Sequence, residues 1–395
     1  MVLTSALVTP PLQGYTVLAV EHAVAAPLAS RQLADLGARV IKIERPGSGD
    51  FARSYDTAVG GLASHFVWLN RGKESVALDL KSEFGHDALH RLAGRADVLL
   101  QNLTPGAAER LGLGADELRA RRPELVVCDI SGYGAHGPYA GRRAYDMLVQ
   151  AETGLISVTG TPEHRAKAGI PVGDIAAGTA AVTAILAALL ARARTGEGAH
   201  LQISLFESLA EWMGYALTYT AATSREHARA GTSHQAIAPY DAFATADGPD
   251  VLIGVQNDRE WTRLAIEVLG RPELATDPGF ATNAARCAHR DRTDAAVAAG
   301  IGALTSADAT RRLDEAGIAN ARLNTVADVL SHPQLAGRWC RVSTPGGPVR
   351  ALRPAGVPTG WQRDPGAVPA LGEHTAAVLA ELGLPRVPDQ TSSIP

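Results

Sequence analysis

The stretch TVLAVEHAVAAPLASRQLADLGARVIKIERPG, residues 16–47, decides the fold. It opens on five strand formers, TVLAV at 16–20, continues through a small, apolar run at 27–36, and stops at Gly37 before RVIKIE at 39–44. Strand, helix, glycine stop and strand make a βαβ unit, whose two strands run parallel. Working outward, the alternation repeats: VALDL at 76–80, a helical pattern at 83–91, DVLLQN at 97–102, a helix from 106 to about 119, and ELVVCDIS at 124–131. Strands this rich in Val, Ile and Leu are buried on both faces, which predicts an α/β fold with a Rossmann-like, doubly wound parallel sheet.

Downstream, 175–191 carries no charge, and nine of its residues are Ala or Gly. Asp174 and Arg192 bracket it, so it reads as a closely packed core helix rather than a membrane span. A strand running into a helix follows at 200–219, then a polar stretch at 224–232, a hairpin pattern at 240–254 around Asp247 and Gly248, and helical patterns over 283–314. This second region reads as a smaller α/β domain. Beyond about 330 the chain is rich in Pro and Gly up to 372, and a helix is expected at 373–382.

The 395 residues carry 37 basic and 41 acidic side chains, a formal net charge of −4, and 46% are hydrophobic. That balance is globular and gives no general attraction to nucleic acid or an anionic membrane. Neither is expected as a partner. The length suits two domains. Cys128, Cys287 and Cys340 are scattered with no CxxC pair, against a disulfide framework or a four-cysteine zinc site and in favour of a reducing, cytoplasmic setting. The first 14 residues lack the order of a signal peptide.

A phosphate cradle is the first chemistry to test in a parallel sheet. The sequence has no GxxxxGK[ST], and its GxGxxG at 132–137 runs into Pro138 with no helix pattern. Basic residues do recur just past strand ends, Arg45, Lys81 and Arg110, where they suit a ligand with dispersed phosphates or are simply solvated. His86 and His90 share a helix face, yet HExxH and a third ligand are missing, and no metal is expected. GxSxG is absent. Three acids, Asp146, Glu163 and Asp174, sit among glycine turns before the core helix. Glu163 reads as a solvated loop acid, while Asp174 reads either as the helix N-cap or as a catalytic carboxylate.

EHAVAAP at 21–27, VIKIERPGSGD at 40–50, LNRGKESVALDLK at 69–81, ADVLLQNLTPGAAERLG at 96–112, DISGYGAHGPYAGRRAYD at 129–146 and VGDIAAG at 172–178 together resemble the class III coenzyme A transferases. That family also contains α-methylacyl-CoA racemases. The resemblance implies a large Rossmann-like domain from both chain ends (1–205 and 325–395), a linker at 206–232, a small α/β domain at 233–324 and an interlocked homodimer. Coenzyme A or acyl-CoA would be a substrate, with a small carboxylic acid as the other and no permanently bound cofactor. Positions resembling CoA contacts are Arg45, Leu78 to Lys81, Asn102, Leu103, Arg110 and the run Arg143 to Asp146, which includes Tyr145. The resemblance makes Asp174, in its GD pair, the nucleophile.

Formyl-CoA transferases have Gln where this chain has Val24 and a glycine-rich loop where it has IGVQND, which argues against formyl or oxalate substrates. Racemases place a His at Tyr145 and a Glu at Asn257, and a phenol is a poor base near neutral pH. EWMGYALTY at 211–219, GTSHQAIAPYDAF at 231–243 and IGVQNDREW at 253–261 resemble the subgroup handling C4 and C5 dicarboxylates. His22, His234 and Gln256 are candidates for the second carboxylate.

Overall fold

The structure is a computed structural model describing residues 9–357, 361 and 364–386. It separates into two compact units, one made of Met1–Leu155, Lys167–Thr223 and Gly337–Pro395, the other of Ile156–Ala166 and Ser224–Ala336. The first unit is thus assembled from both ends of the chain.

Its centre is a six-stranded parallel sheet: β1 (Thr16–Val20), β2 (Arg39–Glu44), β3 (Lys73–Ala77), β4 (Val98–Gln101), β5 (Val126–Ser131) and β6 (His200–Ser204), in the order β3-β2-β1-β4-β5-β6. Successive residues point to opposite faces, so the apolar runs build two cores at once. Val17, Ala19, Val40, Leu100 and Cys128 pack against helix α1 (Ala25–Asp35) and the long helix Val172–Thr195. Leu18, Val20, Ile43, Leu99 and Val127 meet the helix Glu83–Ala93 and the C-terminal helix Thr375–Glu381. The C-terminal helix docks on β3, where Thr375 Oγ1 accepts Ala77 N–H at 2.9 Å.

The long helix is long and apolar enough to cross a membrane by composition. Its small residues serve close packing instead: Ala177, Ala181 and Ile185 are fully buried, and a Cβ on Gly178 would lie 2.7 Å from Ala25 O. All three cysteines are free thiols.

Three expectations are corrected locally. The strand expected at 76–80 runs at Lys73–Ala77, because the chain turns away through Asp79 after Leu78 N–H bonds Glu44 O at 3.0 Å. The helix expected from 106 to about 119 is two, Ala107–Arg110 and Ala115–Arg121, interrupted where Gly112 adopts φ +67°. The segment expected to link the domains, 206–232, contains most of two helices, Leu205–Trp212 and Gly214–Thr223, that belong to the first unit.

The second unit holds a three-stranded antiparallel sheet, β7 (Tyr240–Ala244), β8 (Asp250–Gly254) and β9 (Ala319–Arg322), in the order β7-β8-β9. Gly248 takes φ +105° in the hairpin turn. Trp261, Leu264, Val297 and Leu313 close its core, with Trp261 Nε1 donating to Leu274 O at 3.1 Å.

Candidate active site

In an open parallel sheet, ligands sit at the carboxyl edge where connections diverge. Here that point is β1, flanked by β2 on one side and β4 on the other. The turn after β1, residues 21–24, leads into α1, and Asp174 lies at the start of α1, where the Ala25 N–H acts to lower its pKa.

Asp174 is the third residue of the long helix, and Pro171 occupies the cap position without a side-chain bond. The N-cap reading of Asp174 is therefore corrected. The cap comes from another helix, Asp146–Glu152: Asp146 Oδ1 accepts Gly173 N–H at 2.7 Å and Asp174 N–H at 3.3 Å, and its Oδ2 accepts Gln150 Nε2 at 2.7 Å. Asp146 spends its lone pairs on the end of the long helix, which favours an anion there.

Two helix starts thus converge on Asp174, its own and that of α1. Burial, followed by the charge of Asp146, pushes the Asp174 carboxyl up to about 7, with the Ala25 N–H opposing. A half-buried carboxylate at this pKa is poorly solvated and correspondingly nucleophilic. Tyr55 stands near it. Its phenol is raised by burial and by the charges of Asp50, Asp174 and Tyr145. A row of rings continues from there: Tyr55 to Phe51 at 5.8 Å, Phe51 to His22 at 5.0 Å and Tyr55 to His65 at 5.5 Å. Burial also lowers the His22 pKa. Tyr55, Phe51 and His65 went unread in the sequence. Their signal was the clustering of aromatics over 51–68 in a chain with only 5%.

The expected CoA positions fall on the same sheet edge. Arg45 follows β2 and is exposed, Leu78 follows β3 and is buried, and Lys81 is exposed one turn on. Arg110 and Arg143 are exposed, Leu103 is half-buried, and Tyr145 is 65% exposed at the start of the Asp146 helix. Asn102 has both ends of its amide engaged within the protein. Its Oδ1 accepts His22 N–H at 3.0 Å and its Nδ2 donates to His22 O at 2.9 Å, so its amide clamps the β1–α1 turn. Leu103 N–H is held by Gln101 Oε1 at 2.6 Å.

Other candidates belong to other elements. Glu163 is an exposed residue of the second unit. The GxGxxG at 132–137 is an irregular loop, and the next helix starts only at Asp146. His86 and His90 do face each other, Nε2 to Nε2 at 3.2 Å. In the second unit, Asn257 caps a helix by accepting Glu260 N–H at 3.0 Å, while His234 stacks on Tyr240 at 5.3 Å and Gln256 N–H donates to Glu260 Oε2.

Residues 12–375 match the family described as CoA-transferase family III. The chain belongs to that family. Among relatives of this CoA-transferase, the acetyl-CoA:oxalate CoA-transferase of Acetobacter aceti is 37% identical over 382 residues, 95% of this chain and 96% of that one. The succinate–glutarate CoA-transferase of Agrobacterium fabrum is 34% identical, covering 94% and 96%. The crystal structure of a CaiB/BaiF family protein from Brucella suis superposes with a TM-score of 0.83 at 35% identity, covering 94% of this chain and 99% of that one.

Proposed function

We propose that this CoA-transferase moves coenzyme A from an acyl-CoA donor to a free dicarboxylic acid, with Asp174 as the nucleophile. The observation that carries the assignment is the placement of Asp174 at two converging helix N-termini with its pKa raised to about 7. The Asp174 carboxylate attacks the thioester carbonyl, the C–S bond breaks, and CoA leaves as thiolate from a mixed anhydride. The thiolate attacks the Asp174 carbonyl, forms an aspartyl-CoA thioester and releases the donor's acid. The acceptor carboxylate then attacks that thioester, and the steps run in reverse to return free Asp174. The helix N-termini favour the oxyanion formed at each attack.

Arg45, Lys81, Arg110 and Arg143 supply dispersed cations for the phosphates of CoA, with Leu78 and Leu103 as its apolar neighbours. Relatives named for oxalate, succinate and glutarate support a dicarboxylate, as does the succinyl-CoA–D-citramalate CoA-transferase of Chloroflexus aurantiacus, 33% identical. Val24 and IGVQND argued against oxalate, but a relative carrying that name at 37% identity keeps oxalate among the acids to test beside the C4 and C5 candidates. Trp212, Tyr215 and Leu217 on neighbouring helices, with Ile170 and Leu190, leave large apolar side chains exposed. Their burial in a homodimer is part of the proposal.

The test is incubation with succinyl-CoA, hydroxylamine trapping and peptide mass mapping, alongside exchange of label from free acids into acyl-CoA. A hydroxamate at Asp174 with total thioester conserved is expected. No adduct from any acyl donor, or solvent deuterium entering 2-methylacyl-CoA without an acceptor acid, overturns the reading.

A further inference from the structure

The β1–α1 turn packs against the start of the long helix, Ala23, Val24 and Leu28 sharing a cluster with Ile175, the neighbour of Asp174, and it is held in an unfavourable backbone conformation. Ala23 has φ +65°, in the left-handed region that a residue with a Cβ enters only under strain. Such a turn persists only where its surroundings over-determine it.

Those surroundings are a buried ionic cluster. Asp50 Oδ1 accepts Ala23 N–H at 3.1 Å, and Asp50 Oδ2 takes Lys42 Nζ at 2.9 Å. Lys42 Nζ also reaches Glu21 O at 3.3 Å, and Lys73 Nζ bonds Glu21 Oε1 at 2.7 Å and Pro27 O at 3.0 Å. Both lysine side chains, Glu21 and Asp50 are withdrawn from water. Paired ions this deep contribute little net stability, because desolvation offsets their attraction. One Glu21 oxygen, Oε2, has no hydrogen-bond partner among the described residues. A cluster that stabilises so little, yet grips one turn at 21, 23 and 27, is explained by what the turn presents.

We propose that the buried Lys42–Asp50 pair is a positioning element for acyl transfer: it locks Ala23 at positive φ so that Ala25 N–H points at the Asp174 carboxylate. The proposal rests on Asp174 being the nucleophile. Asp50 acts through the turn and Lys42 through Asp50, so neither touches substrate.

The experiment compares two double variants that lose the same charges. Lys42→Met with Asp50→Asn keeps a side-chain oxygen for Ala23 N–H, and Lys42→Met with Asp50→Ala does not. The alanine pair is expected to lose kcat on the order of a hundredfold, the scale of one lost oxyanion donor, with KM for succinyl-CoA within about threefold, as a loss confined to the chemical step requires. The asparagine pair is expected to recover most of that loss. Titration of the Asp174 side chain, followed by carbon-13 resonance of labelled aspartate, reads the turn without turnover. Its pKa is expected to be higher in the alanine pair than in the asparagine pair. Asp50 Oδ1 also accepts Ala52 N–H at 2.9 Å and caps the turn that ends at Tyr55, so Tyr55→Phe is added to both pairs: a difference that persists there comes through Ala23.

Equal kcat and equal Asp174 titration in the two pairs overturns the proposal, as does a loss that appears in KM alone. Where the alanine pair does not fold, the folded asparagine pair still decides: a tenfold or larger fall in its kcat rejects positioning through Ala23 N–H, and a rate near native upholds it. A native enzyme that forms no Asp174 adduct defeats the functional reading instead, while the titration still reports on the turn.

Discussion

Asp146 and Asp174 are coupled in two opposing ways: the Asp146 carboxylate accepts the Asp174 backbone N–H at 3.3 Å, while its charge helps raise the pKa of the Asp174 side chain. One group fixes the position of the proposed nucleophile and weakens its acidity. The two effects are separable, because the first needs only an oxygen.

Asp146→Asn keeps the capping oxygen and removes the charge. The rate of Asp174 acylation is expected to rise with pH through about 7 in the native protein, since the proposed attack needs the carboxylate. In the variant that rise is expected at lower pH, though still above the ordinary aspartate range because burial, the larger cause, remains. A pH profile of hydroxylamine-trapped adduct measures it.

The same pKa has a stability consequence. Asp174 is raised from 3.8 to about 7 on folding, so the native state holds its proton over that window while the unfolded chain has lost it. Native stability from this group is full below pH 4 and falls as pH climbs to 7. At about 1.4 kcal/mol per unit, the loss reaches at most ~4 kcal/mol. Asp174→Asn is therefore expected to raise Tm relative to the native protein at pH 8 and to leave the difference small at pH 4, read by thermal denaturation at both.

Gly178 lets the long helix approach α1, and an added Cβ would meet Ala25 O at 2.7 Å and Leu28 Cβ at 3.2 Å. Gly178→Ala is expected to destabilise by about 1–3 kcal/mol through overpacking. Because the displaced residue is Ala25 itself, kcat should fall as well. Denaturant unfolding and initial rates check the two halves.

The sheet-edge cations and Asn102 should separate kinetically. Arg45→Ala, Lys81→Ala and Arg110→Ala are each expected to raise KM for acyl-CoA roughly fivefold, about 1 kcal/mol, with an effect that shrinks in salt. Asn102→Ala leaves His22 N–H and O without their partner, at about 1–3 kcal/mol, and is expected to lower kcat and Tm together.

The sheet was legible because its strands are apolar runs ended by Gly37 and similar stops. The exception explains itself: β3 begins Lys73, Glu74, Ser75, polar residues that resemble a loop, yet Lys73 and Ser75 are buried because their side chains bond Glu21 and Glu44. Burial carries the Lys73 pKa down to about 7 in spite of the pull of Glu21. No periodicity announces a polar residue whose partner lies 52 positions away. The GD pair and the small-residue helix behind it marked Asp174 in the sequence as a helix-start carboxylate, and only the family resemblance made it the candidate nucleophile. The cap by Asp146, 28 residues distant, was not legible, and the glycine-rich Gly106–Gly114 stretch hid a helix break inside a helical pattern.

The turn clamp joins segments remote along the chain: Lys73 to Glu21 across 52 residues, Asn102 to His22 across 80, and Asp50 to Ala23 across 27. The full set exists only once the segments of β2, β3 and β4 have all joined the sheet that holds β1. On the proposed mechanism, an intermediate that lacks one of them leaves the turn beside Asp174 without part of its hold. Reactivity at that carboxylate then arises late in assembly, and an incompletely folded copy spends few thioesters.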